Sequence, residues 1–338
     1  MAKMDIALEL GTSFTSIYVS GNGIVLHEPS VIAYYDGGSK RSMRAVGDAA
    51  YRMIGKTPDR IKTVCPIIDG VIKDQDAATT MLGEFIKKVL PASYLVKPRI
   101  RAVLGVPTGL SVQERKMYEE VLMGSGVDEV TMVNSIMLAA IGCELPVSSD
   151  YGGFIVSIGG GVTEIAALSL SGIVTGCSIN IGGDMIDRTL LDSIRGLYNR
   201  LKTDIATVRA AKEKIASLIR NDRATVTISG IDQDTKKIRT EEISSDKVYG
   251  AVSVYYNNII DAVDSVINSS SPTLAAEIRK NGIHVVGGSA NIPGLAELMS
   301  ERLGVNVKVP RDPQYAAVLG AGMLLSDPYL LNDILMHA

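Results

Sequence analysis

The sequence predicts an α/β protein of two lobes, each a mixed sheet flanked by helices, packed around a central cleft. Three observations carry this reading. Each half of the chain opens in the same order: strand, glycine-and-hydroxyl turn, strand, turn, strand. Helix-patterned segments then follow in both halves. The connections are short, with no low-complexity linker to hold the halves apart, so they should pack as lobes. A length of 338 residues is also a prior for about two domains.

In the first half, residues 5–10 form an apolar run ended by Gly11-Thr12-Ser13. Runs at 15–19, 24–26 and 31–35 follow, divided by Gly, Asn and Asp turns, and together they read as an antiparallel meander. Residues 77–90 have helical spacing through Met81, Leu82, Phe85, Ile86 and Val89, and Pro91 stops them. A strand is expected at 101–106. The helix after it, 113–123, has Ser111 as its cap and Glu114 three residues on, the capping-box pattern. Residues 130–133 read as a strand and 135–142 as a small-residue helix.

The second half restarts at Gly153. Strands are expected at 154–158, 165–170 and 173–180, and helices at 184–201 and 208–219. A hairpin at 225–231 and 237–243 turns around Asp232-Gln233-Asp234. A long helix, 245–266, precedes a strand at 284–286 and helices at 295–303 and 315–326. The expected division is a first lobe at 1–150, with a small subdomain at about 33–75, and a second at 151–338, with one at about 185–250.

Composition excludes several functions. Hydrophobic residues make up 46% and charged residues 21%, enough for a sizeable core and unlike a disordered chain. A net charge of -3 gives no general electrostatic pull toward nucleic acid. Three scattered cysteines and three scattered histidines match neither a disulfide framework nor a transition-metal ligand set. The residues before the first strand leave no room for a signal peptide, and no apolar run has the length of a membrane span. The expectation is a cytoplasmic protein, or one peripheral to the inner membrane surface.

The candidate site lies in the turns. Leu8-Glu9-Leu10-Gly11-Thr12-Ser13-Phe14-Thr15 and Ser157-Ile158-Gly159-Gly160-Gly161-Val162-Thr163-Glu164 each join two strands through glycine and hydroxyl residues. Glycine lets backbone N–H groups turn inward with no Cβ in the way, and such a nest holds anionic oxygens. Thr and Ser add donors. One such loop is also what an ordinary hairpin shows; two, opening the two halves, point to phosphate. A third element, Gly287-Gly288-Ser289-Ala290-Asn291-Ile292-Pro293-Gly294, sits between strand and helix, where it could pass a base or ribose.

With these loops in place, the chain resembles the actin, Hsp70 and sugar-kinase superfamily, and within it the MreB-like bacterial actins, including the magnetosome type. Gly23-Ile24-Val25-Leu26-His27-Glu28-Pro29-Ser30-Val31, Asp69-Gly70-Val71-Ile72, Gly105-Val106-Pro107, Ala139-Ala140-Ile141-Gly142, Gly182-Gly183-Asp184 and Arg311-Asp312-Pro313 occur in the family's order. The resemblance implies an actin-like ATPase fold, with ribonuclease-H-like sheets in both lobes. It also implies ATP or ADP with Mg²⁺ between the lobes and head-to-tail polymerisation, a contact that does not close. It places Gly11, Thr12, Ser13, Phe14, Gly159, Gly160, Gly161, Val162, Thr163, Lys212, Glu213, Gly287, Gly288, Ser289 and Ala290 on the nucleotide.

The resemblance also marks departures. The family's Asp in the first loop is Glu9 here, still able to hold a magnesium-bound water and the one candidate for a catalytic or metal role. Its Asp in the second loop is Ser157, and the Glu that positions the attacking water falls at Ser135. The helix beneath the nucleoside, acidic in the family, carries Arg209, Lys212 and Lys214 with Glu213; its cations fit a solvated face as well as a nucleotide contact. Phosphate cradling by backbone survives these changes, whereas hydrolysis needs positioned water and aligned metal charge. ATPase activity is therefore expected to be weak or lost. Tyr94, Leu95 and Val96, next to Lys97 and Arg99, match a loop that in the family dips into the membrane; packing on the neighbouring strand is the alternative.

Three function classes remain open at this point. They are a nucleotide-dependent cytoskeletal filament, a non-hydrolysing adaptor or copolymer partner of an active paralogue, and a small-molecule kinase. The kinase is disfavoured because it needs a carboxylate base where Ser135 and Ser157 stand. An Hsp70 would need a further peptide-binding domain.

Overall fold

The computed structural model describes residues 2–36, 41–91 and 98–337 of the chain. The first lobe begins with β1 (Lys3–Leu10), β2 (Phe14–Val19) and β3 (Gly23–Pro29), an antiparallel meander as expected. Residues 31–35 do not continue it. Pro29 ends β3 and has no N–H to donate, while Ser30 turns back, its N–H donating to the Ser13 carbonyl. The chain leaves into a separate small sheet of β4 (Ile32–Tyr35), β5 (Ser42–Val46) and, after α1 (Asp48–Tyr51), β6 (Ile61–Val64), with β4 in the middle. A two-stranded hairpin follows, β7 (Ile67–Ile68) and β8 (Val71–Ile72), turned by Asp69 and Gly70, both at positive φ, the signature of a tight hairpin turn.

The chain then returns to the main lobe through α2 (Gln75–Val89), β9 (Arg99–Val106), α3 (Val112–Gly124), β10 (Glu129–Asn134) and α4 (Ser135–Gly142). Asp74 caps α2 by accepting from the Ala77 N–H, and Met81, Leu82, Phe85 and Ile86 form its buried stripe. The expected capping box of α3 is complete: Ser111 accepts from the Glu114 N–H, and Glu114 accepts from the Ser111 N–H. The sheet order is β10-β9-β1-β2-β3, with β1, β9 and β10 parallel. This register sets Glu9 beside Gly105 and opposite Ser16.

The second lobe repeats the plan with β11 (Gly153–Ile158), β12 (Thr163–Ser169) and β13 (Gly172–Ile179). Its small subdomain holds α5 (Gly183–Leu197), β14 (Leu201–Lys202), α6 (Ile205–Ile215), β15 (Thr225–Asp232) and β16 (Ile238–Ser244). The helix expected at 184–201 stops at Leu197, because Arg200 takes a left-handed conformation and Leu201 enters β14. The helix expected at 208–219 is one turn earlier, since Asp204 caps α6 by accepting from the Thr207 N–H, and Leu218 instead donates to the Pro293 carbonyl. After α7 (Ser245–Ser269) comes a helix not expected from the sequence, α8 (Pro272–Asn281), although Ser271 as cap and Pro272 at the first position signal one. Then follow β17 (Ile283–Val286), α9 (Leu295–Leu303), β18 (Val307–Lys308), α10 (Ala316–Ser326) and α11 (Pro328–His337). The sheet order is β13-β12-β11-β17-β18.

Two helices pack across from the half of the chain they belong to. α4 also packs on β11 and β12 of the second sheet, and α10 packs on β1, β2 and β9 of the first. The two helices cross at Gly142 and Gly320. A Cβ on Gly320 would lie 1.8 Å from the Leu138 carbonyl oxygen, and one on Gly142 would lie 1.9 Å from that of Ala316. Glycine is required there because backbone meets backbone. This crossing, set in an apolar cluster that includes Ala7, Ile155 and Val286, joins the lobes beneath the cleft.

Candidate functional site

The turn after β1 and the turn after β11 face each other across a cavity of about 430 Å³. Each is a closed hairpin: Gly11 N–H donates to the Phe14 carbonyl, and Gly159 N–H to that of Val162. The loops meet at their tips. A Cβ on Gly160 would sit 2.1 Å from Ser13 Oγ, and one on Gly161 would sit 2.6 Å from Thr12 Oγ1. The Asp69-Gly70 turn closes on them, its Gly70 N–H donating to Thr12 Oγ1 at 3.0 Å and its carbonyl accepting from the buried Tyr118 hydroxyl. Among the described residues, the N–H groups of Thr12, Ser13, Gly160, Gly161 and Val162 have no hydrogen-bond acceptor. Five open donors on two opposed loops are the kind of donor set that an anion nest needs.

On the cavity floor, Glu9 stands with Ser135, Ser157 and Glu164. Ser135 opens α4, and its Oγ would lie 3.0 Å from a Cβ on Gly105, so that glycine keeps the floor open beside Glu9. Ser157 is the cross-strand partner of Glu164. Glu164 is 4% exposed and accepts from both the N–H and the hydroxyl of Thr108, each at 2.7 Å, which ties the second lobe to the first. Burial pushes the Glu9 carboxyl up to about 7, and the nearby Glu164 adds to the rise. Burial also raises Glu164, against the pull of the Thr108 hydrogen bonds. At the edge of the floor, His27 stacks on Phe14 at 4.6 Å and meets the Tyr315 ring edge-on; burial holds its imidazole below the usual range.

The far wall is a charge cluster. Arg209 donates through Nε to Asp187 at 2.7 Å and through Nη2 to Asp184 at 2.5 Å. Lys212 pairs with Asp187 at 2.6 Å and donates to the Gly183 carbonyl. The Asp187 side chain is 0% exposed, and those of Arg209 and Lys212 are 17% exposed. Burial opposes the Arg209 charge, but Asp184 and Asp187 outweigh it and hold its pKa above the usual value. Neither reading of the basic helix is thus complete: Arg209 and Lys212 are not solvated, and their charge is spent on carboxylates of α5. Glu213 is exposed at the cavity and makes no hydrogen bond or ion pair among the described residues. Gly287, Gly288 and Ser289 complete the wall, with Ser289 Oγ donating to the Gly159 carbonyl.

Gly11, Thr12, Ser13, Phe14, Gly159, Gly160, Gly161, Val162, Lys212, Glu213, Gly287, Gly288 and Ser289 thus share one cavity with Glu9, Ser135 and Ser157. Two candidates do not join them. Thr163 is fully buried, its hydroxyl donating to the Ile181 carbonyl, because it already lies in β12 with its side chain on the core face. Ala290 is buried in the second-lobe core. Sequence reasoning missed Glu164, Asp184 and Asp187. The available signal was a carboxylate in an apolar strand for Glu164 and, for the other two, acids one helical turn apart after Gly182-Gly183. Tyr94, Leu95 and Val96 lie outside the described residues.

Two related sheets, each offering a glycine hairpin to one cleft above a crossed helix pair, define the actin-like class. The MreB/Mbl protein family model matches residues 3–333, and the chain belongs to that family. It is 36% identical over 328 residues to the cell shape-determining protein MreB of Escherichia coli (strain K12), covering 96% of this chain and 94% of that one. It is 34% identical to the cell shape-determining protein Mbl of Bacillus subtilis (strain 168), covering 97% of each. Among solved structures, MreB5 of Spiroplasma citri bound to ADP superposes with a TM-score of 0.89 at 29% identity, over 98% of both chains. A MamK double helical filament, at 21% identity and a TM-score of 0.79, shares the fold. The chain is therefore a cytoskeletal protein of the bacterial actin type. Among the described residues no helix is long and apolar enough to cross a membrane.

Proposed function

We propose that this protein binds ATP or ADP in the interlobe cleft, polymerises head to tail, and serves as a filamentous scaffold for cell shape or organisation with slow or absent hydrolysis. The observation that carries this is the set of five open N–H donors on the two opposed loops. They suit phosphate oxygens, and Gly160 and Gly161 let the second loop approach Ser13 and Thr12 of the first. Family relatives solved with ADP and with AMPPNP, both MreB5 of Spiroplasma citri, support the choice of nucleotide. The elements beside Gly287 and Glu213 would face the nucleoside.

Magnesium fits the floor only through water: Glu9 and Glu164 are the carboxylates there, and no group of three metal-binding side chains exists among the described residues. Bound Mg²⁺ would neutralise phosphate charge, with Glu9 as the carboxylate free to meet its water. The rest of the floor is poor for hydrolysis. Ser135 and Ser157 cannot accept a proton from an attacking water, and Glu164 is engaged by Thr108. Phosphate release orders of magnitude below that of a family member with both acids is expected. These same replacements favour the second reading, a non-hydrolysing adaptor or copolymer with an active paralogue. Attachment at the inner face of the membrane would be weak per subunit and multiplied by the filament.

The test is high-speed pelleting with negative-stain microscopy on apo protein, ATP–Mg²⁺ and a non-hydrolysable analogue, with phosphate release measured alongside. Filaments with both nucleotides and none in apo protein are the expected result. Filaments in all three would make the site structural, and none in any would support the adaptor. Rapid phosphate release abolished by Glu9→Ala would overturn the slow-hydrolysis reading.

A further inference from the structure

We propose that Arg209 is the latch of an interlobe clasp that holds the cleft shut and gates exchange of what it contains. The clasp rests on the Ser13–Asp184–Arg209 chain of hydrogen bonds and on the Gly55–Asp204 packing; that the gated ligand is a nucleotide rests on the function proposed above.

Arg209 has an anchored end and a reaching end. Its anchor is Asp187, fully buried in α5 and shared with Lys212. Its Nη2 reaches Asp184 Oδ1, and the same oxygen accepts from Ser13 Oγ of the first lobe at 2.8 Å. One carboxylate oxygen thus joins the latch to the tip of the opposite phosphate loop. On the other side, the Tyr51 phenol, from the first lobe's small subdomain, is near enough to feel the Arg209 charge. Beside it Gly55 packs on Asp204, the cap of α6, so closely that a Cβ on Gly55 would lie 2.9 Å from Asp204 Cβ. Cys65, in the same subdomain, is near enough to feel the charges of Asp184, Arg188 and Arg209. The first lobe therefore covers the α5–α6 wall, reaching Arg209 through Asp184 on one side and with Tyr51 near it on the other.

A purely structural ion pair would end within the second lobe, whereas Asp184 passes this one on to Ser13 of the first. Opening the cleft must turn about the α4–α10 crossing, so contacts at the roof separate most. Ser13–Asp184, Tyr51–Arg209 and Gly55–Asp204 would all break, whereas Thr108–Glu164, on the floor, can persist. A planar guanidinium is needed because it presents separate N–H groups to Asp187 and Asp184 at once; a lysine offers one point charge.

Hydrogen–deuterium exchange of the ligand-free protein tests the clasp. Arg209→Ala, and independently Tyr51→Ala from the other lobe, should raise exchange in peptides covering residues 48–58 and 61–68 and leave β1 and α4 unchanged. Release of a fluorescent ADP analogue should accelerate by about tenfold or more in Arg209→Ala, from the loss of charge-assisted hydrogen bonds, and by less in Arg209→Lys. Roof exchange that stays at the wild-type level in both alanine variants overturns the latch, whatever nucleotide does. Roof exchange that rises in proteins that bind no nucleotide supports the clasp and refutes the nucleotide reading.

Discussion

Replacing Glu9 with glutamine should stabilise the protein above neutral pH and change little in acid. The Glu9 carboxyl is moved from 4.5 to about 7 by burial and by Glu164. A raised acid is protonated in both folded and unfolded chains below pH 4.5, so it has no effect on stability there. As pH climbs, the unfolded chain releases its proton first, and the native state loses stability until the folded group ionises near pH 7. At about 1.4 kcal/mol per pH unit, the full displacement corresponds to about 3 kcal/mol. Glutamine keeps the shape and removes the titration. Urea unfolding of wild type and Glu9→Gln at several pH values between 5 and 8.5, without nucleotide, reads the difference. The variants should coincide near the acid end and separate by up to about 3 kcal/mol at pH 8. A gap that is constant with pH, or a variant less stable than wild type at pH 8, refutes the reasoning. Glu164→Gln is a poorer version of the same change, because Thr108 donates two hydrogen bonds to that carboxylate.

Gly160→Ala places a methyl group 2.1 Å from Ser13 Oγ and forces the two glycine loops apart; if they hold the nucleotide as proposed, ADP affinity measured by calorimetry should fall by about tenfold or more. Gly320→Ala meets the Leu138 carbonyl at 1.8 Å, a backbone atom of a packed helix that cannot step aside. A loss of about 1–3 kcal/mol or more is expected in denaturant unfolding. Asp187→Ala strands Arg209 and Lys212 beside an apolar core, and a stability loss of about 3–5 kcal/mol should follow, much larger than for the exposed Asp192→Ala.

Local chemistry was legible where it is self-contained. The capping box of α3, the β1–β2–β3 meander and both glycine turns rest on residues within a few positions of one another. The shortest strands and the small sheet of the first lobe were less legible. β14 and β18 have two residues each, too short for any periodicity, and β4 left the meander because Pro29 and Ser30 redirected the chain. Thr163 and Val162 show the limit within one loop. Both belong to the same turn, yet only Val162 lines the cavity, because the next residue has entered the strand and alternation turns its side chain inward.

By itself, the sequence determined the two-lobed plan, the two glycine turns and the serines at 135 and 157, since these depend on residue type and on near neighbours. Tertiary structure alone decided that Glu164 shares the floor with Glu9, and that Arg209 is neither solvated nor free but tied to Asp184 and Asp187. It also decided that α4 and α10 exchange lobes at Gly142 and Gly320. Those pairings join residues far apart along the chain, and they exist only once sheet register and the closure of two lobes have set which side chains meet.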